Sequence, residues 1–450
     1  MSEFVLKKGF DLDLPFPPKN DNIKLEDSEY VVFHPHDIVG IKTRLLVNEG
    51  DLVLVGSPLY IDKNNPKVNF VSSVSGVVEK INFGNRRSVL DIVIKNDAKY
   101  EYVDSNIKLD YSMSSDQIKG IFSDCGIMTF IRQFPFSKVA NPDLTPKCII
   151  VSMFNSAPCT PESSIILTEK NIDKLKKGLS YISKLTDGKV HLNCMPGTHI
   201  SFAGMPKNIQ VNYFDGPHPA GNPGIQIHHI DPIQNKNDIV WSVSYDDVIS
   251  IGETISLSKY HNRKTITIGG ADMAINGYAD VLRGCQISSL FSDVDMDEYK
   301  IISGDVLSGK AVNLLSGLGH LHSSVSIIKS GVNNREFLGW ILPGLSKPSL
   351  SRTFLSALNP KSVYSHTDNL NGSLRAIIPF GRWEKMLPMD IYPVQLIKAI
   401  MVEDIDMIEK LGIYEVSCED FALCDFICTS KIPVQEIIRY GLDLVRKENN

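Results

Sequence analysis

The 450-residue sequence predicts a multidomain protein of mixed α+β and α/β class. Three observations carry that expectation. Short β-rich runs broken by glycines fill residues 38–82, a β-α-β pattern runs from Cys148 to Cys194, and apolar stripes at helical spacing dominate beyond Pro388. The length corresponds to about three domains. Hydrophobic residues make up 43% and charged residues 22%, which excludes a largely disordered or collagen-like chain. Lys plus Arg is 46 against 52 for Asp plus Glu, a net charge of −6, so no nucleic acid is expected as a partner. The eight cysteines and an N-terminus without a long apolar run point to a reducing cytoplasmic compartment. No apolar stretch approaches 18 residues, so the chain is expected not to cross a bilayer by itself, while docking on a membrane protein stays open.

Residues 1–110 are expected to form the first domain. Asn48-Glu49-Gly50-Asp51 reads as a tight reversal, with Gly50 supplying a positive φ, and Val53 and Val55 alternate toward one face. The pattern EGD-x-V-x-x-G-x-P-L followed by S-x-S-G-V-V resembles the barrel-sandwich folds of lipoyl and biotinyl carrier domains. In a lipoyl domain an Asp-Lys pair sits at a hairpin tip, and Asp62 and Lys63 hold a similar place. The connection Asp62–Phe70 (DKNNPKVNF) looks too long and too rich in Asn and Pro for that hairpin, so an unmodified Lys63 is the expectation.

Residues 111–257 are expected to form a Rossmann-like α/β domain. Cys148–Phe154 reads as a buried strand, residues 168–186 as an amphipathic helix and Val190–Cys194 as the next strand. Ile209–Phe214 and Asp238–Val243 are further strands, followed by a helical pattern from Tyr245 to Leu257. No Gly-x-Gly-x-x-Gly run follows any of these strands, so the fold lacks the loop that cradles a dinucleotide. Gly304–Lys310 only superficially resembles a phosphate loop, because the spacing is wrong and Ala311 replaces the hydroxyl that coordinates magnesium. In GPHPAGNPGIQIHHIDP (216–232), Pro217 and Pro219 stiffen the backbone around His218, and Ile225–Ile230 reads as a strand. Adjacent His228 and His229 would then point to opposite faces and cannot easily serve one metal. A ligand or docking loop and a structural loop both remain open there.

Residues 258–330 read as a β-grasp-like module with one helix, and residues 331–385 as loop-rich, with Arg382 beside Trp383 as a candidate cation-aromatic pair. Residues 331–450 are grouped as this linker plus a C-terminal helical domain. Leu396, Ile397, Ile400 and Met401 form one stripe, and Val434, Ile437, Ile438, Leu442 and Val445 a second. Between them, Cys418, position 421, Cys424 and Cys428 match the Cys-x₂-Cys-x₂-Cys-x₃-Cys ruler of a four-iron cluster. Position 421 is Phe421, and Thr429 replaces the usual proline, so a vacant, packed relic is expected and no metal.

Taken in order, LLVNEGD, SPLYIDKNNPKVNF, SVSGVV, TFIRQFPFSKVANP (129–142), GPHPAGNPGIQIHHIDP, ISGDVLSGK, GWILPG (339–344), WEKMLPMDI (383–391) and FALCDFIC resemble the NqrA family over essentially the whole chain. This is the family of the A subunits of sodium-translocating NADH:quinone reductases. It shares its plan more distantly with RnfC-type electron-transfer subunits and the NADH-binding subunit of complex I. The resemblance implies an SLBB-type β-grasp module at 258–330. It also implies that Phe122–Pro135 stands where the relatives keep a glycine-rich flavin and NADH loop, so FMN, NADH and iron-sulphur binding are lost.

By the same resemblance the chain is a peripheral subunit on the cytoplasmic face of a bacterial inner membrane, in a translocase that couples electron transfer from NADH to ubiquinone to Na⁺ export. Its partners are the five other subunits (B–F), particularly the integral membrane B subunit. FAD, FMN, riboflavin and iron-sulphur or iron centres belong to those partners, no cofactor is tightly bound here, and this chain does not itself oxidise NADH. The alternatives are an RnfC-like subunit with flavin and cluster, or a non-catalytic scaffold. Ubiquinone needs an apolar slot with one or two donors to its carbonyls, which makes Phe130, Arg132, Phe134, Lys138, His218 and His228 the candidate contacts, with no catalytic residue assigned. The competing expectation is that these segments only pack domains together.

Overall fold

Cys148–Ser152 (CIIVS) is buried at every position, as a strand covered on both faces must be. It pairs in parallel with Lys189–Cys194 on one side and Val240–Ser244 on the other. Ile209–Asp215 and then Ser2–Val5 extend the sheet in parallel beyond Lys189–Cys194. On the other flank Arg132–Phe134 runs antiparallel to Val240–Ser244, and Lys138–Val139 completes seven strands. The first strand of the chain therefore lies in the α/β sheet and not beside the β-rich segment that follows it. The computed structural model describes residues 2–104, 107–198, 204–273, 275–291, 294–332, 342–345, 347–350, 353–359 and 363–448.

The helix expected at 168–186 spans Glu169–Ile182, and the Thr168 hydroxyl caps it by accepting from the Asn171 amide. The one expected from Tyr245 spans Tyr245–Leu257, capped by Ser244. The two pack so closely that glycine is required at their crossing. A Cβ on Gly252 would lie 1.9 Å from the Lys174 carbonyl oxygen, and one on Gly178 would lie 2.4 Å from that of Val248. Ile225–Ile230 is not a strand. Pro223–Ile230 is a helix, because Pro223 in its first turn presets φ and its missing N–H costs nothing there. The alternation of Ile225, Gln226 and Ile227 imitates a strand only because Gln226 is buried too, bonded to Asn193 and Ser152.

The β-rich segment forms two small antiparallel sheets. One joins Tyr30–Phe33, Val89–Asn96, Gly76–Phe83 and Leu52–Val53, and the other Thr43–Leu45, Pro58–Asp62 and Asn65–Val71. The Asp62–Phe70 segment is a tight hairpin after all: Asp62 pairs with Asn65, leaving Lys63-Asn64 as a two-residue turn. The Asp62 carboxylate accepts from the amides of Asn64 and Lys42, and a register shift beside it absorbs the twist.

A six-stranded mixed sheet follows. Arg263–Gly269 lies between Gly277–Leu282 and Ser324–Lys329, with Tyr299–Ser303 and Lys310–Val312 beyond the latter and Asn22–Ile23 on the far edge. Within it the described residues hold only a 3₁₀ turn, Ile287–Ser289, where one helix was expected. Gly304–Lys310 is a hairpin connection, and Lys310 opens a strand where a phosphate loop would open a helix. Arg382 lies over the Phe380 ring at 5.6 Å, while its neighbour Trp383 is buried in the core. Gly339 and Trp340 of the GWILPG segment lie outside the described residues. The C-terminal helices Pro393–Met401, Ile405–Lys410 and Val434–Glu448 share one apolar core with the helix Pro223–Ile230. Among the described residues, no helix is long and apolar enough to cross a membrane.

Replacing Gly252 by Ala pushes a methyl into the Lys174 carbonyl and should cost about 1–3 kcal/mol of stability. Urea unfolding of Gly252→Ala against the parent measures this, and a loss below about 0.5 kcal/mol would show that the helices are free to slide apart.

Candidate functional site

A cavity of about 440 Å³ opens at the carboxyl ends of the parallel strands. In open α/β sheets ligands sit where successive connections depart in opposite directions, because the loops there diverge and leave a crevice. Here the crevice lies between Cys148–Ser152 and Val240–Ser244. The six-stranded sheet contributes Asp305 and His322 to its walls, and the C-terminal segment contributes Glu419, Gln435 and Arg439. The floor carries Asp247, with Arg283 and Lys264 beneath it.

Four of the six expected contacts line this cavity: Phe130, Arg132, Lys138 and His218. Phe134 does not; its ring is fully buried in the core, with the Arg132 guanidinium 5.3 Å from its centroid. His228 is also elsewhere. Its Nδ1 contacts Glu415 at 2.6 Å, and its Nε2 accepts from the Asp390 amide. His229 reaches the Pro388 carbonyl at 2.8 Å. On a helix these adjacent rings serve two different anchors of the C-terminal segment.

His218 is buried, and burial lowers its pKa, so the ring is neutral at pH 7. Its Nδ1 lies 3.1 Å from the Ser156 hydroxyl, which already accepts from the Gly221 amide. With that hydroxyl donating to Nδ1, the ring proton would sit on Nε2. Among the described residues, that Nε2 is buried without a hydrogen-bond partner. Arg439, which also lines the cavity, carries a second such atom, one terminal guanidinium nitrogen. A buried donor left without a partner costs about 1–3 kcal/mol.

Arg132 is already engaged. It grips Glu419 with both terminal nitrogens, at 2.8 and 3.3 Å, and bonds the Ser137 hydroxyl. Burial, with repulsion from Arg446, lowers the Lys138 pKa. Sequence reasoning missed Arg439, Asn222 and Glu419, since nothing in a helical stripe or a Pro/Gly loop marks which polar side chain will face a crevice.

The cysteine ruler gives a packed segment. Phe421 and Cys424 are fully buried, and the Cys424 thiol points at the Trp383 carbonyl, 3.8 Å away. Among the described residues, the one set of three His, Cys, Asp or Glu donors lying mutually within 4.8 Å contains none of these thiols. Burial pushes the Cys418 thiol up to about 11, so it is not a thiolate at neutral pH. The stretch Phe122–Pro135 is equally filled: Phe122, Ile127, Met128 and Phe130 pack into the α/β core.

Comparison with known proteins bears on the same regions. Residues 4–97 match the NqrA N-terminal barrel-sandwich hybrid domain, and residues 113–259 the NqrA second alpha/beta domain. The A subunit of the Na(+)-translocating NADH-quinone reductase from Histophilus somni (strain 129Pt) is 33% identical over 99% of both chains. Its counterparts of the same name from Shewanella amazonensis and Pasteurella multocida are 34% and 33% identical, again over 99% of both chains. This chain belongs to the NqrA family. Over 41% of its length it also resembles a solved NAD⁺-reducing [NiFe]-hydrogenase, of which the match covers 40%, at a TM-score of 0.32 and 9% identity, too low to carry an argument. In NqrA terms, the cavity is walled by the second alpha/beta domain together with parts of the chain on either side of it.

Asp420, beside the cavity, is raised to about 6 by burial and by the neighbouring Glu419 charge, although Ser417 and Asn222 donate to its carboxylate. A carboxyl raised on folding contributes stability below its unfolded pKa, near 4, and loses it as pH rises through about 6. The parent should therefore lose roughly 2 kcal/mol of stability between pH 4 and 7 relative to Asp420→Asn. Urea midpoints across that range measure the gap, and parallel pH profiles for the two proteins would refute it.

Proposed function

We propose that this chain works as the A subunit of a Na⁺-translocating NADH-quinone reductase, which moves electrons from NADH to ubiquinone and exports Na⁺. The observation that carries the reading is the match at about a third identity along 99% of the chain to proteins bearing that name. As a peripheral subunit it docks on the cytoplasmic face of the inner membrane, against the integral membrane B subunit, one of the five partners B–F. The buried Phe421 and the apolar filling of Phe122–Pro135 support a division of labour in which FAD, FMN, riboflavin and the iron centres sit on the partners. This chain then oxidises no NADH itself. Residues 258–330 act as the SLBB-like module and 331–450 as the linker and helical domain, the remaining divisions being 1–110 and 111–257.

The cavity is the quinone-associated site in this reading. A quinone ring is flat and apolar, with two carbonyl acceptors at opposite ends. In this reading His218 and Arg439, which both line the cavity, turn their buried donors toward the two carbonyls, and Phe130, itself buried, packs behind the wall. The protein's part is orientation and access, since the redox chemistry belongs to the quinone.

A photoreactive ubiquinone analogue, applied to the assembled complex, should label peptides bordering this cavity. His218→Leu should weaken that labelling about tenfold, the equivalent of one lost hydrogen bond at about 1.4 kcal/mol. Labelling unchanged by His218→Leu, or confined to the partner chains, would remove the site. Stoichiometric flavin or iron in the purified chain would instead favour an RnfC-like subunit.

A further inference from the structure

Away from the cavity, the segment His34-Pro35-His36 meets Asp91 at the end of the N-terminal antiparallel sheet. Tyr30–Phe33 pairs with Val89–Asn96 so that Phe33 faces Ile92. The next position along brings His34 opposite Asp91. Pro35 then opens a 3₁₀ turn that returns His36 to the same side. One donor atom from each of His34, His36 and Asp91 lies within 4.8 Å of the others. The three line a cavity of about 220 Å³ between this sheet and the six-stranded one.

The hydrogen bond to the His36 ring holds it as a ligand is held, and His34 is oriented by Gly317. His36 Nδ1 lies 2.8 Å from the Leu90 carbonyl oxygen and must donate to it, which leaves a lone pair on Nε2. His34 Nε2 sits 2.9 Å from the Gly317 amide nitrogen and 3.2 Å from the Gly317 carbonyl oxygen, so it has a backbone partner in either tautomer. While Nε2 accepts from the Gly317 amide, Nδ1 carries the ring proton toward Asp91 Oδ1, 2.6 Å away. Ligation through Nδ1 requires that proton to move to Nε2, where the Gly317 carbonyl oxygen accepts it. Imidazole N–H donation to backbone carbonyls is the usual second layer of support around a metal-bound histidine.

A cation already stands at this place. The Lys310 ammonium contacts His36 Nε2 at 3.0 Å and pairs with Asp37. Lys310 is half exposed, on a strand of the other sheet, and its stem is flexible enough to withdraw. The electrostatics of the pocket are thus tuned to hold positive charge against two imidazoles and two carboxylates.

We propose that His34, His36 and Asp91 bind a borderline divalent cation, zinc above all, with Lys310 as a tethered competitor for the same place. Two imidazoles with one carboxylate form a donor set that suits Zn²⁺ and leaves its fourth position open to water or to Asp37. Magnesium and calcium prefer all-oxygen shells and are excluded by the imidazoles. The donors must rearrange to about 3.3 Å spacings around a tetrahedral ion with bonds near 2.0 Å, a small movement at the rim of a rigid sheet. Metal binding would release Lys310, through which the six-stranded sheet is now tied to His36 and Asp37.

Titrating the tag-free full-length chain with Co²⁺, and with Zn²⁺ in competition, tests the proposal. One equivalent should bind, with visible d–d absorption of a four-coordinate N/O site that Zn²⁺ abolishes. His36→Ala and Asp91→Ala should each weaken binding at least tenfold, with circular dichroism reporting whether the fold is retained. Lys310→Met should tighten binding severalfold, a change that a purely structural ion pair has no means of producing. No saturable Co²⁺ binding would overturn the proposal. So would binding indifferent to His36→Ala and Lys310→Met, which would place the metal on other side chains. None of these readouts involves quinone, so the result stands apart from the reading of the larger cavity.

Discussion

Asp247 lies in the first turn of the helix Tyr245–Leu257, with 3% of its side chain exposed, and it faces two cations that are equally buried. Arg283 donates to it at 2.8 Å, and the Lys264 ammonium lies 3.7 Å away while also pairing with Asp246. Both cations come from the six-stranded sheet, whereas the carboxylate belongs to the α/β sheet's last helix. Against the upward pull of burial, Lys264 and Arg283 hold the Asp247 carboxyl below the ordinary range, so the pair stays charged. Removing one partner from such a cluster leaves an uncompensated buried charge and costs several kcal/mol. The relative position of the two sheets, and with it the floor of the large cavity, depends on this contact.

Arg283 extends that constraint. Its guanidinium stacks 4.0 Å from the centre of the Phe130 ring, and Phe130 stands in the filled stretch that replaces a cofactor loop. The crevice at the carboxyl ends of the strands is thus closed below by charge and on one side by aromatic packing. The opposite wall is tied down by the Arg132–Glu419 pair, which links the α/β sheet to the cysteine segment. A scaffold of nucleotide-binding type can lose its glycine loop and keep a crevice, because the crevice comes from strand order and helix placement.

Much of the α/β domain was legible because its strands are short, fully buried runs and its helices carry strong apolar periodicity, as in Glu169–Ile182. The helix Pro223–Ile230 was not, since Ile225, Gln226 and Ile227 alternate like a strand while a buried amide network satisfies Gln226. The Lys63-Asn64 hairpin was hidden for a related reason: a register shift lets Asn and Pro sit in paired strands that a regular ladder would refuse. Of the expected cavity residues, Phe130, Arg132, Lys138 and His218 meet, while Phe134 and His228 turn into packing.

Family membership, the missing glycine loop and the interrupted cysteine ruler were properties of residue order, and the sequence alone determined them. Which donors share a space was decided only by the tertiary structure. His218 and Arg439 are 221 positions apart, and His34 and Asp91 are 57 apart, yet each pair borders a single cavity. Local pattern reports periodicity and turn chemistry, which act over a few residues. Convergence of distant side chains depends instead on sheet order, register and helix crossing, which arise from the packing of the whole core.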